Sequence, residues 1–535
     1  MHLSDHDLRQ LDDARLERLS EAQARVLLGK TVADLKAARE RLGQNPSNSS
    51  RPPSSRAPWA SVSDEDSSSD EDAPAATGEA EVDTQDGAND DAATGDEASP
   101  ETAPKQQRKQ THDSKARKRP GRRKGAPGHG RTQRLPINSE QLHAPACCAV
   151  CEQALDASHD ARAHNARYQL DLIQPGADGS GTGLVLQQTK HTYLERQCAC
   201  GHWTRAEPGR CGEEAGWTVQ LTEWHLAGPT LVVFIVALTQ RMRLSRARVQ
   251  EFLHDWLGLE LSTSTINQCV HEAGRAVEPV VEAEILQTVR DIDLIYADET
   301  SWKQDGQLLW LWVFTCATAT LFIVGRRSRA IVRKVLGETF RNWLMSDGYH
   351  VYRDFDQRLR CLAHLIRKAH GLEDGYDREG QRFGSHILQV METVIDAVYS
   401  ARGGAPPPEG LRQHHAPMLN ALLDACVQQA NSAHPPVRAL ARELLNDWDT
   451  FWVVLDYPEL PLTNNEAERA LRHWVIARRI GMGTRTDQGS RVFALLASVI
   501  ETCRKRNVSP WPYLAEVLRL RRQDLPAPPL PLPVT

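Results

Sequence analysis

Between Ser61 and Glu101 the chain carries fifteen Asp or Glu and no Lys or Arg. A segment of that composition buries too little apolar surface to offset the entropy of ordering it. It reads as a disordered, low-complexity spacer, so the blocks on either side must build their cores separately. Directly after it, Lys105 to Arg134 holds twelve Lys or Arg against a single Asp. The formal net charge of −6 averages these two opposed segments. Without the acidic stretch the remainder is net positive, as a phosphate-binding surface requires. The basic tract, including Arg122, Arg123 and Lys124, is not expected to fold alone, and its glycines let it follow a phosphate backbone.

The 535 residues suffice for several domains, and 40% hydrophobic residues suit a soluble protein with a real core. The N-terminus has no apolar h-region, so no secretory signal is expected. The longest apolar run, Leu231 to Leu238, is too short for a membrane span, which needs about 20 residues. It reads as a buried helix in a cytoplasmic, DNA-accessible protein.

The pattern divides into blocks of a multidomain α/β protein. Residues 1–45 read as a charged helix with Leu28, Leu35 and Leu42 at heptad spacing, although Arg25 and Arg39 stand where a strong zipper has apolar groups. Residues 46–140 form the linker and 141–215 a cysteine-bearing module. Residues 216–290 are helical; Ser245 and Ser262 or Ser264 suit N-caps, and the turn at Gly258 fits a helix-turn-helix or an ordinary helical hairpin. Strand signals begin at DIDLIYADET and continue through LLWLWVFTCA, TATLFIVGR and NWLMSDGYHVYRD, filling 291–375. Residues 376–455 are helical, 456–520 helical and basic, and 521–535 a proline-rich tail without expected structure.

Asp298 ends one strand-like apolar run and Asp347 another, so both fall at one edge of a sheet. A third carboxylate, Glu468, lies in a helix at TNNEAERALRHW. Two aspartates and a glutamate so placed suit a pair of Mg²⁺ ions, which favour oxygen ligands. Paired metals serve in-line phosphoryl displacement. Glu299, Asp354, Asp356 and Glu466 lie within a few residues and compete for these roles.

Six of the eleven cysteines fall between Cys147 and Cys211. Cys148 and Cys151 form a C-x₂-C; Cys198 and Cys200 form a C-x-C. Two such pairs suit a closed, tetrahedral, structural Zn²⁺ site. Cys147, His202 and Cys211 compete for membership.

Several segments together resemble the transposases of the insertion sequence 66 family. They are QNPSNSSRPPSS, GRRKGAPGHGR, the CCAVC and CACG pairs, YADETSW, SDGYHVY, and the long LTNNEAERALRHWVIARRIGMGTRTDQGSRVFALLASVIETCRKRNVSPWPYL. The chain departs from that pattern at Asn45, followed by proline rather than serine, and in the length of its acidic tract. The resemblance implies an RNase H-like core (a mixed sheet with helices) split by a helical insertion. It implies Asp298, Asp347 and Glu468 as a DDE triad holding two Mg²⁺ (or Mn²⁺) ions, with Glu466 at a variable position. Cys361 and His364 resemble a C-x₂-H pair found between the second Asp and the Glu. Two ligand-type residues make a poor zinc site, so a packing or positioning role is expected for them.

Arg469, Arg472, Arg478 and Arg479 flank Glu468, and Arg485 and Arg491 punctuate a Gly-rich loop. All six are candidates for the DNA backbone; Glu468 and Arg472, at i and i+4, can instead pair on the helix. The expected activity is cleavage and strand transfer at terminal inverted repeats, with target DNA as second substrate. A homo-oligomer, accessory proteins of the same element and a nucleoid-associated, bacterial cytoplasmic setting belong to that expectation. An inactive DNA-binding regulator and a metal nuclease of similar fold are the rival readings.

Overall fold

The computed structural model describes residues 19–43, 135–175 and 182–533. The acidic and basic tracts, with Arg122, Arg123 and Lys124, lie outside the described residues. Helix α1 (Glu21–Gly43) keeps Leu28 and Leu35 exposed. Near its end Glu40 accepts from the Tyr376 backbone N–H at 3.1 Å and meets His434 at 3.7 Å.

The cysteine module is a four-stranded sheet of β1 (Ser139–His143), β2 (Ala161–Ile173), β3 (Val185–Gln197) and β4 (Trp203–Arg205). Strand β3 is central, antiparallel to β2 and β4 and parallel to β1. The apolar run read as a buried helix is α2 (Pro229–Val236), with Leu231, Val232 and Ile235 out of solvent, and it runs into a π-turn at Ala237–Arg241. A hairpin follows, α3 (Arg246–Leu257) and α4 (Thr263–Val280), capped by the Ser245 and Ser262 hydroxyls. Gly258 between them takes the left-handed conformation that glycine tolerates best. The second half of α4 sinks into the core, which leaves only its first turns, with Thr263, Ser264, Asn267 and Gln268, exposed. Helix α5 (Leu286–Asp291) leads to the second sheet.

That sheet contains β5 (Leu294–Gln304), β6 (Gln307–Thr315), β7 (Thr320–Gly325), β8 (Trp343–Ser346) and β9 (Arg358–Arg360). Its order is β7-β6-β5-β8-β9, with the β5–β6–β7 pairs antiparallel and β5–β8 and β8–β9 parallel. Helix α6 (Arg329–Leu336) crosses from β7 to β8. The long strand expected through NWLMSDGYHVYRD is only four residues, because a 3₁₀ turn at His350–Asp354 follows Asp347.

After β9 come α7 (Leu362–Glu373), α8 (Arg378–Gly403), α9 (Leu411–His414), α10 (Ala416–Gln429), α11 (Pro435–Asn446) and α12 (Trp448–Asp456). They share a core that Met345 and Leu359 of the sheet join. A buried ion network ties the two parts: Arg360 reaches Asp447 and, at 2.6 Å, Glu443, while Arg358 reaches Asp447 at 3.1 Å. The chain returns through α13 (Asn465–Gly481), α14 (Asp487–Lys505) and α15 (Pro510–Arg522). Helices α13 and α14 cover one face of β5–β7. Among the described residues after α15 the proline-rich tail has no helix or strand, yet it lies on the core. Leu530 is buried and its N–H donates to Glu284 at 3.0 Å, while Arg506 donates to the Pro531 carbonyl at 2.9 Å.

Candidate active site

Strand alternation decides between the neighbouring acids Asp298 and Glu299. Asp298 pairs with Val313 and Glu299 with Trp312. Val313 belongs to the core shared with Ala467 and Leu471 of α13, whereas Trp312 lies in the core on the other face. Asp298 therefore faces the helix that carries Glu468, and Glu299 faces away. Parallel pairing sets Tyr296 opposite Met345. Two residues beyond each stand Asp298 and Asp347, side by side: Asp347 just past the end of β8, but Asp298 in the middle of β5, which runs on to Gln304 instead of closing at the acid as its apolar run suggested.

The electrostatics follow from this crowding. Burial pushes the Asp298 carboxyl well above its ordinary range, and Asp347, Glu299 and Glu468 push the same way. Among the described residues no Lys or Arg forms an ion pair with Asp298 or Asp347. Their oxygens accept backbone N–H groups instead, from Glu299 at 2.8 Å and Tyr349 at 2.9 Å. Glu299 is the compensated member. Arg327 donates to it twice, at 3.0 and 2.8 Å, and the Tyr352 hydroxyl donates at 2.7 Å. Burial, then Asp347, still raises it to about 7. Arg327 is gripped between the rings of Trp310 and Tyr349, 4.3 and 3.8 Å from their centroids.

Glu468 enters from the first turn of α13. Its Oε1 lies 3.3 Å from Arg367 and 3.8 Å from His364, both on α7, so it is directed at that helix. Asn464, wholly buried, fixes the start of α13: its Nδ2 donates to the Ala297 carbonyl at 2.9 Å, and its backbone N–H donates to Cys361 Sγ at 3.2 Å. One residue thus joins the strand of Asp298 to the helix of Glu468. The remaining rivals are engaged elsewhere or in water: Asp354 with Arg329 and Arg333 at 3.3 and 2.8 Å, Glu466 with Lys505 at 2.9 Å, and Asp356 exposed. Asp298, Asp347 and Glu468 do not bring three oxygens within 4.8 Å of one another, whereas Cys361, His364 and Glu468 do bring their ligand atoms that close.

The profile described as Transposase IS66 family matches residues 225–492, just over half of the chain, and covers all three carboxylates. The chain belongs to this IS66 family. Curated relatives include three uncharacterized proteins of Sinorhizobium fredii. Protein y4hP is 37% identical over 305 residues, covering 49% of this chain and 53% of the relative. Protein y4qI is 22% identical over 321 residues (52% and 57%), and y4jD is 25% identical over 217 residues (38% and 42%). The chain spans about half the length of the relatives it matches.

N-terminal to the IS66 match, Cys148, Cys151, Cys198 and Cys200 converge. Their sulfurs lie 3.4 Å (Cys151–Cys198), 3.6 Å (Cys151–Cys200) and 3.7 Å (Cys148–Cys200) apart. This donor set can hold a zinc ion, since four thiolates at tetrahedral spacing match that ion's preference. The N–H groups of Cys151 and Val150 pull the Cys148 thiol down to about 6. Cys151, against the pull of the Gln153 N–H, is pushed up to about 12 by the neighbouring sulfurs of Cys198, Cys148 and Cys200, so one thiolate is favoured over several at this spacing. Cys211 lies in the core beside Glu214, apart from the cluster, and Cys147 and His202 are not in it.

The arginines of the IS66 signature separate by environment. Arg478 is half-buried and bonds Thr300 at 3.0 Å and the Ser301 hydroxyl at 2.8 Å, tying α13 to β5. Arg491 pairs with Glu278 and covers the Trp217 ring at 4.6 Å. Arg469, Arg472, Arg479 and Arg485 are exposed. The Gly-rich loop zips onto the end of β5: Thr484 N–H donates to the Lys303 carbonyl at 2.9 Å, and the Asp305 N–H donates to Thr484 O at 2.8 Å. Gly483, at φ +87, sits so close that a Cβ there would collide with the Lys303 carbonyl. Sequence reasoning missed Asn464, Arg327, Tyr352 and Arg367. Only Asn464 had a signal, as an N-cap residue type before a helix.

Proposed function

We propose that this chain is a DDE transposase whose triad is Asp298, Asp347 and Glu468. The observation that carries the reading is the register of β5 and β8. It stands Asp298 beside Asp347, with no basic partner among the described residues, on the face toward Glu468. Strand order β7-β6-β5-β8-β9, three antiparallel and two parallel, supports an RNase H-like core with α8–α12 as its insertion. Two half-buried aspartates side by side without an ion-pair partner among the described residues, facing the helix of a third acid, fit divalent cations of the Mg²⁺ or Mn²⁺ type, which favour oxygen ligands. When bound, such ions supply Lewis-acid activation of the attacking oxygen and stabilisation of the leaving one.

The chain's own groups do the rest. Asp298, within β5, and Asp347, just past β8, hold cations from a rigid sheet, and Asn464 fixes the helix that presents Glu468. Arg367 neutralises Glu468 before cations arrive. Exposed Arg469, Arg472, Arg479 and Arg485 hold DNA phosphates, and the exposed first turns of α4 offer side chains for base edges of the terminal inverted repeats. The Cys148–Cys151–Cys198–Cys200 cluster holds a structural zinc. Pairing of two chains, so that two ends react together, is supported by exposed Leu28, Val32 and Leu35 on α1.

The test is cation-dependent cleavage and strand transfer on labelled element-end DNA, comparing wild type with Asp298→Asn and Glu468→Gln. Wild type should cut and join while both variants bind without reacting. Cutting by the variants would show that other carboxylates act. Hydrolysis without joining would mean a nuclease, and binding with no reaction by any of the three a regulator.

A further inference from the structure

Cys361 and His364 alone are a poor metal site, but the fold brings a third donor to them from more than a hundred residues away. The ligand atoms of Cys361, His364 and Glu468 all lie within 4.8 Å of one another. The His364–Glu468 separation is 3.8 Å. Zinc–donor bonds of about 2.0–2.3 Å at tetrahedral angles put neighbouring donors about 3.3–3.7 Å apart, so little movement is needed. One further feature suits a metal-bound state. The Asn464 N–H already points at Cys361 Sγ, the hydrogen bond a bound thiolate accepts.

We propose that Cys361, His364 and Glu468 form a second zinc site, distinct from the four-cysteine cluster, with its fourth position open to water. A thiolate and an imidazole select Zn²⁺ over Mg²⁺. Arg367, 3.3 Å from Glu468, occupies the place of the cation in the metal-free chain and opposes binding. The site therefore binds more weakly than the four-cysteine cluster. On the transposase reading, Zn²⁺ here holds Glu468 on α7, apart from Asp298 and Asp347, so zinc inhibits the Mg²⁺-dependent reaction. The binding itself does not depend on that reading.

The test counts zinc per full-length chain after titration against a competing chelator. His364→Ala and Glu468→Gln should each hold one equivalent fewer than wild type. Arg367→Gln should keep that equivalent and bind it about tenfold more tightly, since a repelling charge is gone. A folding defect cannot tighten binding, so the Arg367 variant separates the site from general damage. Equal zinc content in wild type and His364→Ala, or affinity unchanged or weakened in Arg367→Gln, would overturn the proposal. An inactive protein with the expected zinc counts would sink the transposase reading and leave the site standing.

Discussion

Two groups of carboxylates, each with one buried and otherwise half-buried members, stand by the parallel half of the same sheet, and they are built on opposite principles. Asp447 and Glu443 meet Arg353, Arg358, Arg360 and Lys368. Burial alone would raise both, but the surrounding cations, led by Arg360 for Asp447 and Lys368 for Glu443, outweigh it and hold both below the ordinary carboxylate range. Asp298 has Asp347, Glu299 and Glu468 for neighbours and is driven upward. A buried acid surrounded by cations is committed to structure. One surrounded by other acids raises the free energy of the fold and persists where a ligand repays it.

The largest expected effect breaks the comparison at the acidic side. On the proposed transposase reading, Asp298→Asn should lower cleavage by about 10³-fold or more, because losing a cation-binding group removes several kcal/mol of transition-state stabilisation. Folding should not suffer: without divalent cations the variant's Tm should equal or exceed wild type's. Mg²⁺ should raise the Tm of wild type and much less that of the variant, by linkage. A variant less stable than wild type in chelator would place Asp298 with the structural acids.

The converse substitution is Asp447→Ala. It leaves Arg360, itself 2% exposed, buried without its closest carboxylate. Removing one partner of a buried pair costs about 3–5 kcal/mol, read as a fall in the denaturant midpoint. The phosphoryl transfer proposed for the chain should change little by comparison at permissive temperature. A neutral outcome would mean water reaches this network and the contrast between the two regions is one of degree.

Acid sharpens the same contrast. A carboxyl with a depressed folded pKa stabilises the fold above its unfolded value, about 4, and the contribution disappears as pH falls through the folded value. The Asp447–Glu443 network should therefore hold at neutral pH and fail below about pH 4. Asp447→Asn should flatten that acid limb of the stability profile. An unchanged limb would assign acid unfolding to other carboxylates.

How much of this was legible in the sequence depends on distance along the chain. The apolar runs that lead to Asp298 and Asp347 were readable as strands because they are local patterns, although β5 runs on past its acid to Gln304. The preference for Asp298 over Glu299 needed strand register, since adjacent residues face opposite ways and only the neighbouring strand says which face is which. Arg478 and Arg491 read as DNA contacts because their partners, Ser301 and Glu278, lie far away in sequence. The Gly483 loop read as phosphate-binding for the same reason; its glycine serves a close approach to β5. The proline-rich tail lacked any helical or strand period, yet Leu530 found a buried site that only the folded core supplies.

The smallest effect tests the joint between the two acidic elements. Asn464→Ala removes the bond to the Ala297 carbonyl and leaves that acceptor dry, at a cost of about 1–3 kcal/mol. Asn464→Asp is the sharper probe. When ionised it cannot donate to the carbonyl, and it adds negative charge beside Asp298, so at neutral pH it should cost more than alanine does. When protonated it can donate again. A carboxyl whose folded pKa is raised stabilises below its unfolded value and loses that contribution as pH rises through the folded one. The Asp variant should therefore approach wild-type stability as pH is lowered toward 5, while the Ala variant stays offset. If both track wild type in parallel across that range, the acids around Asp298 do not repel one another as their placement requires, and the two carboxylate groups differ in position alone.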